Sequence, residues 1–110
     1  MYSPALFHIT INGKLPDMVH VLIERYIAEG MISTYEELAR QAMHRSYIAP
    51  GFISGESFFD AHAPNRRFLL CKWRSERDWV LWSTSDLRTE FTNQIAPILE
   101  EPERVIVLQH

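Results

Sequence analysis

His20 and Arg25 lie in one stretch of the chain and between them carry what acid–base work on a small molecule requires. A neutral imidazole accepts a proton from a phenol near neutral pH. A guanidinium steadies negative oxygen as it develops. The plainer alternatives are a hydrogen-bonded bystander for His20 and, for Arg25, an ion pair with Glu24, Glu29 or another carboxylate at a sheet rim. Trp73, Trp79 and Trp82 fall within ten consecutive positions. So much aromatic area in one place needs a core, a partner or a pocket to cover it. Trp82, on the second helix, reads as a large aromatic packing helix against sheet or as part of such a pocket. Trp73 reads as core, with an indole N–H able to orient a phenol or quinone oxygen. Trp79 reads as core or dimer surface. Phe52, Phe58, Phe59 and Phe68 add aromatic area, part of it core and part, with Phe58, suited to a flat apolar ligand.

Other chemistries find little support. Cys71 is the only cysteine, so no intrachain disulfide forms and a thiolate metal cluster is excluded. Its strand position reads as a small buried apolar group rather than a reactive thiol. His8, His44, His62 and His110 have no metal-ligand spacing, and Gly13, Gly30, Gly51 and Gly55 stand too far apart for a phosphate or dinucleotide loop. No metal and no cofactor are therefore expected. The 11 basic and 14 acidic side chains give a formal charge of -3, with the basic residues scattered. That is the wrong field for nucleic acid. No apolar run approaches the ~20 residues that span a bilayer, and no secretion signal opens the chain. The cytoplasm is the expected location.

The elements that must position these residues follow from periodicity. Residues 1–16 read as an N-terminal arm, with a possible short strand from Ala5 to Ile11, and residues 17–110 as one domain. Met18 to Ile27 alternates as a strand, closed by Ala28-Glu29-Gly30. Ser33-Thr34-Tyr35-Glu36 has capping-box spacing, and Tyr35, Leu38, Ala39, Ala42 and Met43 carry a helix to about Ser46. Phe52 to Phe59 reads as a strand, Asp60 to Asn65 as a loop, and Arg67 to Trp73 as the most apolar strand. Ser75 caps a second helix whose stripe continues through Leu87, Phe91 and Ile95, with a possible break at Ser83-Thr84-Ser85. Arg104 to Leu108 is the last strand. The order β-α-β-β-α-β predicts an antiparallel sheet with both helices on one face. Val19, Val21 and Ile23, with Leu69, Cys71 and Trp73, are expected to form the apolar second face, covered by a second copy in a two-fold homodimer.

Pro50-Gly51-Phe52-Ile53, Trp73-Arg74-Ser75-Glu76 and Trp82-Ser83-Thr84-Ser85, with the first strand closing on Ala28-Glu29-Gly30, resemble the antibiotic biosynthesis monooxygenase domain family. The resemblance covers about residues 18 to 108. It implies an α+β fold, a ferredoxin-like β-α-β-β-α-β chain with an antiparallel sheet forming a dimeric α+β barrel. The family holds cofactor-independent oxygenases, heme-degrading enzymes, small-molecule isomerases and members of no known activity. Its heme-degrading branch uses a first-strand asparagine and a ligand histidine, where this chain has Ile23 and Thr92. The resemblance therefore implies a cofactor-independent, monooxygenase-like oxidoreductase acting on a small aromatic or enolisable metabolite. Its expected site is His20 and Arg25 as catalytic groups, with Trp82, Trp73 and Phe58 against the substrate. The alternatives are a non-catalytic small-molecule-binding or stress-related homodimer, and a structural homodimer whose interior Trp73 and Phe58 simply fill.

Overall fold

The structure is a computed structural model that describes residues 18–110. The arm and its possible strand at Ala5 to Ile11 lie outside the described residues. The elements are β1 (Val19–Tyr26), α1 (Ile32–Ser46), β2 (Phe52–Asp60), β3 (Ala63–Trp73), α2 (Glu76–Ser83), α3 (Asp86–Ile95), a 3-10 turn (Ala96–Ile98) and β4 (Arg104–Leu108). The sheet has the order β2-β3-β1-β4 with every neighbouring pair antiparallel, the ferredoxin-like connectivity.

Two expectations about this sheet need correction. It is open: β2 and β4 are its edges, kept apart by β3 and β1, so no closed α+β barrel forms. Closure requires the first and last strands to pair, and the barrel expectation came from a second copy rather than from any pairing within this chain. The two faces are also exchanged. Val19, Val21, Ile23, Cys71 and Trp73 pack under the helices with Trp79 as one core cluster. The face turned away from the helices carries the intervening residues, with His20 opposite Lys72, Leu22 opposite Leu70 and Glu24 opposite Phe68. Alternation separates the two sets of side chains but does not say which set the helices cover.

Helix α1 begins at Ile32 without a side-chain cap, with Met31 at the N-cap position, so the Ser33–Glu36 box does not form. The backbone sets this boundary. Gly30 takes φ 77°, and Met31 N donates to Ala28 O at 3.1 Å. Met31 and Ile32 then pack against the second core cluster of Ile27, Tyr35, Phe91, Ile95 and Ile98. Burying those two side chains outweighs a hydroxyl cap two residues later.

The two later helix starts lie where a serine cap and a break in the stripe were expected. Asp78 N donates to Ser75 Oγ at 3.1 Å at the start of α2, and Arg88 N donates to Ser85 Oγ at 3.3 Å at the start of α3. The break at Ser83-Thr84-Ser85 is thus a second helix start. The Asp60 to Asn65 loop is shorter than expected: β3 begins at Ala63, and Asp60 Oδ1 accepts from His62 N at 2.8 Å across a tight hairpin turn. Gly51 ties the middle of the chain to the helices. It takes φ 86°, its carbonyl accepts from Arg74 N at 2.7 Å, and Asp78 fills the space a Cβ would occupy. Asp78 is itself held by Arg74 at 3.0 Å. Pro50-Gly51-Phe52 and Trp73-Arg74-Ser75 therefore belong together because they build one strand–helix joint.

Candidate active site

Between the helices and the sheet lies a cavity of about 60 Å³, lined from β1 by Ile23 and Arg25, from α1 by Tyr35 and Met43, and from the remaining elements largely by aromatic residues. Strand parity puts Ile23 and Arg25 on the helix side with Val19 and Val21. Trp73, at the end of β3, is the centre of the aromatic wall. Trp82 stacks on it at 6.2 Å between ring centroids, Trp79 meets it edge-on at 5.9 Å, and Phe52 does so at 5.2 Å. Such pairs add about 0.5–1.5 kcal/mol each beyond burial. The α2 helix places Trp79 and Trp82 one turn apart, so both reach the same ring.

The polar part of the wall is a buried ion network. Arg25 is 4% exposed and Arg88 is 7% exposed. Arg25 Nε donates to Glu103 Oε2 at 2.8 Å, and Arg88 Nη2 donates to Glu103 Oε1 at 2.8 Å. Arg25 Nη1 donates to the Tyr35 hydroxyl oxygen at 2.9 Å. The guanidinium planes lie near rings as well, Arg25 by Phe91 at 5.1 Å and Arg88 by Trp79 at 5.5 Å. Burial works against the charged form of Arg25, but Tyr35 and Glu103 outweigh it and raise its pKa. Burial likewise works against an ionised Glu103, yet Arg25 and Arg88 hold the carboxyl below its ordinary range. Two guanidinium charges against one carboxylate leave one net positive charge at the wall.

The structure brings Arg25, Trp73 and Trp82 together at this cavity and places His20 and Phe58 elsewhere. His20 belongs to the opposite set of β1 side chains, opposite Lys72 and Leu108, with its ring edge-on to His110 at 5.6 Å. Burial, Lys72 and His110 lower its pKa. Phe58 is 44% exposed on the edge strand β2 and borders a separate groove of about 350 Å³. That groove shares Tyr35, Ala39, Met43 and Ser57 with the cavity, so the two lie side by side. Trp73 does not have a free indole N–H for a ligand: its Nε1 donates to Cys71 Sγ at 3.4 Å. Burial pushes the Cys71 thiol up, which keeps it protonated and unreactive. Among the described residues no acceptor takes the Trp82 N–H, and Trp82 is half-buried at the cavity.

Tyr35, Arg88 and Glu103 were missed from the sequence. Arg88 had a signal, since Arg88, Phe91 and Ile95 share one helical stripe and all three are buried. Glu103 had none. It precedes β4 in an irregular segment, and only the placement of β4 beside β1 carries it to Arg25. Among the described residues no group of three or more His, Cys, Asp or Glu side chains is arranged to hold a metal ion.

Comparison with known proteins agrees with this architecture. A protein described as a putative antibiotic biosynthesis monooxygenase from Nitrosomonas europaea superposes with a TM-score of 0.81 at 14% identity, covering 88% of this chain and 93% of its own. One so described from Bordetella bronchiseptica gives 0.77 at 19% identity, covering 86% and 97%. SnoaB, a cofactor-independent oxygenase from Streptomyces nogalater, gives 0.77 at 8% identity, covering 86% and 93%. At such identities these likenesses establish the fold alone. No curated protein matches the sequence. Residues 18–94 match the antibiotic biosynthesis monooxygenase family, and with that match spanning most of the chain, the protein belongs to this family.

Proposed function

We propose that the chain is a cofactor-independent, monooxygenase-type oxidoreductase acting on a small aromatic or enolisable metabolite. The observation that carries this reading is a buried, charged Arg25 at the wall of a cavity built from Trp73, Trp79, Trp82 and Phe91. A substrate carbanion or enolate, resting on the indoles, passes electrons to dioxygen. The peroxide that forms loses water to leave a carbonyl, so a CH₂ group and O₂ become C=O and H₂O. Arg25 steadies the negative oxygen through the reaction, and the apolar wall excludes water and orients the ring. The Trp82 N–H supplies a directed contact. His20 takes no part in this cavity, because the sheet stands between them. The described helices include none long and apolar enough to cross a membrane. The lone reduced cysteine supports a cytoplasmic setting.

Trp82→Phe tests the site. It keeps most of the packing on Trp73 and removes the N–H. Oxygen uptake with a panel of phenols, quinols and enolisable carbonyl compounds should fall severalfold, while unfolding stays within about 1 kcal/mol. Lost stability with unchanged uptake would make Trp82 core alone.

A second reading, a small-molecule-binding homodimer without turnover, draws on a wall that has no oriented base, since His20 lies on the far face of the sheet. Either reading needs the cavity to open. About 60 Å³ holds a few waters, whereas an apolar cavity that takes up benzene measures about 150 Å³. A ring therefore enters only as side chains of the lining move apart. We assign the homodimer to the face away from the helices, where Ile106 and Leu108 are exposed beside Leu22 and Leu70. Sedimentation equilibrium at micromolar concentration should give twice the chain mass. A monomer there rules the dimer out.

A further inference from the structure

We propose that the ligand of this cavity arrives already ionised, as an aromatic or enolic monoanion, and that Arg88 recognises it together with Arg25 while Glu103 limits the match to one negative charge. The inference rests on the proposed function for its site and names the ligand class that site would accept.

The charges come from three elements. Arg25 on β1 and Arg88 on α3 each take one oxygen of Glu103, at 2.8 Å in both cases. Glu103 thus has both oxygens engaged, and one positive charge remains beside an apolar wall. The other charged groups nearby cancel among themselves. Arg45 on α1 faces Glu90 at 3.6 Å, Asp78 on α2 is held by Arg74 at 3.0 Å, and Arg67 at the outer groove meets Glu36 at 2.9 Å. A buried cation without a full counter-charge is costly, and a single anion in the cavity offsets that cost. A dianion would overshoot it.

The titratable groups at the wall point the same way. Protonating Glu103 would break both of its ion pairs, so it is a poor base. The Cys71 sulfur already accepts from Trp73, and its S–H faces the Val21 carbonyl at 3.6 Å. Tyr35 oxygen already accepts from Arg25. Among the described residues, the cavity therefore presents cations and hydrogen-bond donors but no side chain poised to remove a proton. A substrate that ionises unaided near neutral pH meets this wall without needing a base. Acidic phenols, hydroxyquinones and the enols of dicarbonyl compounds have that property. Ordinary phenols, which ionise at about 10 as tyrosine does, do not.

Calorimetric titration with small probes tests this directly. Para-nitrophenol ionises near neutrality, dinitrophenol is ionised throughout the working range, and para-nitroanisole cannot ionise. Affinity for para-nitrophenol should climb about tenfold per pH unit below its own ionisation and then level off. Dinitrophenol should bind with little pH dependence, and the anisole at least about tenfold more weakly. Arg88→Met should weaken both phenolates by about tenfold or more and leave the anisole unchanged. Three results would overturn the proposal: equal affinity for the anisole, one pH curve shared by all probes, or no binding of dinitrophenolate at millimolar concentration. An equal loss for all probes in Arg88→Met would reduce Arg88 to a structural part. Oxygen uptake separates the two readings: anions that bind without consuming oxygen defeat the monooxygenase and leave the charge selection standing.

Discussion

Glu103→Gln removes the one carboxylate that two buried guanidiniums share. In the folded protein Glu103 accepts two charge-assisted hydrogen bonds, each 2.8 Å long, from Arg25 and Arg88. Glutamine is the same size and keeps one acceptor oxygen, so one of the two bonds survives in weakened form. Its amide nitrogen is turned toward the other guanidinium, a donor against a donor. Breaking a buried ion pair by removing one partner costs about 3–5 kcal/mol. With one contact retained, the lower end applies, about 3 kcal/mol, a large part of the 5–15 kcal/mol that folds an ordinary domain. The pH dependence gives a second, independent reading. The Glu103 pKa is lowered in the folded state by the arginines, against the opposing effect of burial. Its stabilisation is therefore complete above the unfolded carboxyl value of about 4.3 and is lost as pH falls through the lower folded value, because the unfolded chain binds the proton first. The glutamine variant has no such proton to take up. Urea unfolding from about pH 7 to about pH 3 should show a gap near 3 kcal/mol that narrows as the pH falls below the unfolded carboxyl value. Adding Arg88→Met to Glu103→Gln should recover part of the loss, since the surplus cation is then gone. A deficit under about 1 kcal/mol at neutral pH, with a gap that does not change in acid, would refute the shared-carboxylate account.

The helix starts give a paired control. Ser75→Ala deletes the oxygen that caps α2 and should cost about 0.5–2 kcal/mol, whereas Ser33→Ala, on an exposed helical position without a capping role, should change unfolding by less than about 0.5 kcal/mol. The reverse order would show that α1 starts later than described. Gly51→Ala puts a Cβ into the Asp78 side chain on a backbone with φ 86°, so thermal unfolding should show a loss above about 1 kcal/mol. An unchanged midpoint would mean that the joint between Pro50 and Arg74 is looser than its hydrogen bond indicates.

Local rules carried the sequence a long way. Alternation in Val19-His20-Val21-Leu22-Ile23 identified β1, and Ser75 and the Ser83-Thr84-Ser85 break identified the two later helix starts, because each depends on neighbours within one turn or one pleat. The order of elements was enough for the ferredoxin-like connectivity, and the cluster of Trp73, Trp79 and Trp82 in ten positions was enough to expect one aromatic contact, which their rings make. What the sequence lacked was any long-range choice. Parity separated His20 from Arg25 but could not say that the helices cover the Arg25 side, which is why a base and a cation on opposite faces were read as one site. The Ser33 box was overruled by the burial of Met31 and Ile32, an energy that exists only once α1 meets the 3-10 turn and α3. Glu103 met Arg25 across 78 positions of chain, through the pairing of β4 with β1. No periodicity reports a contact of that kind, because it is made by the sheet and not by the segments that the sheet joins.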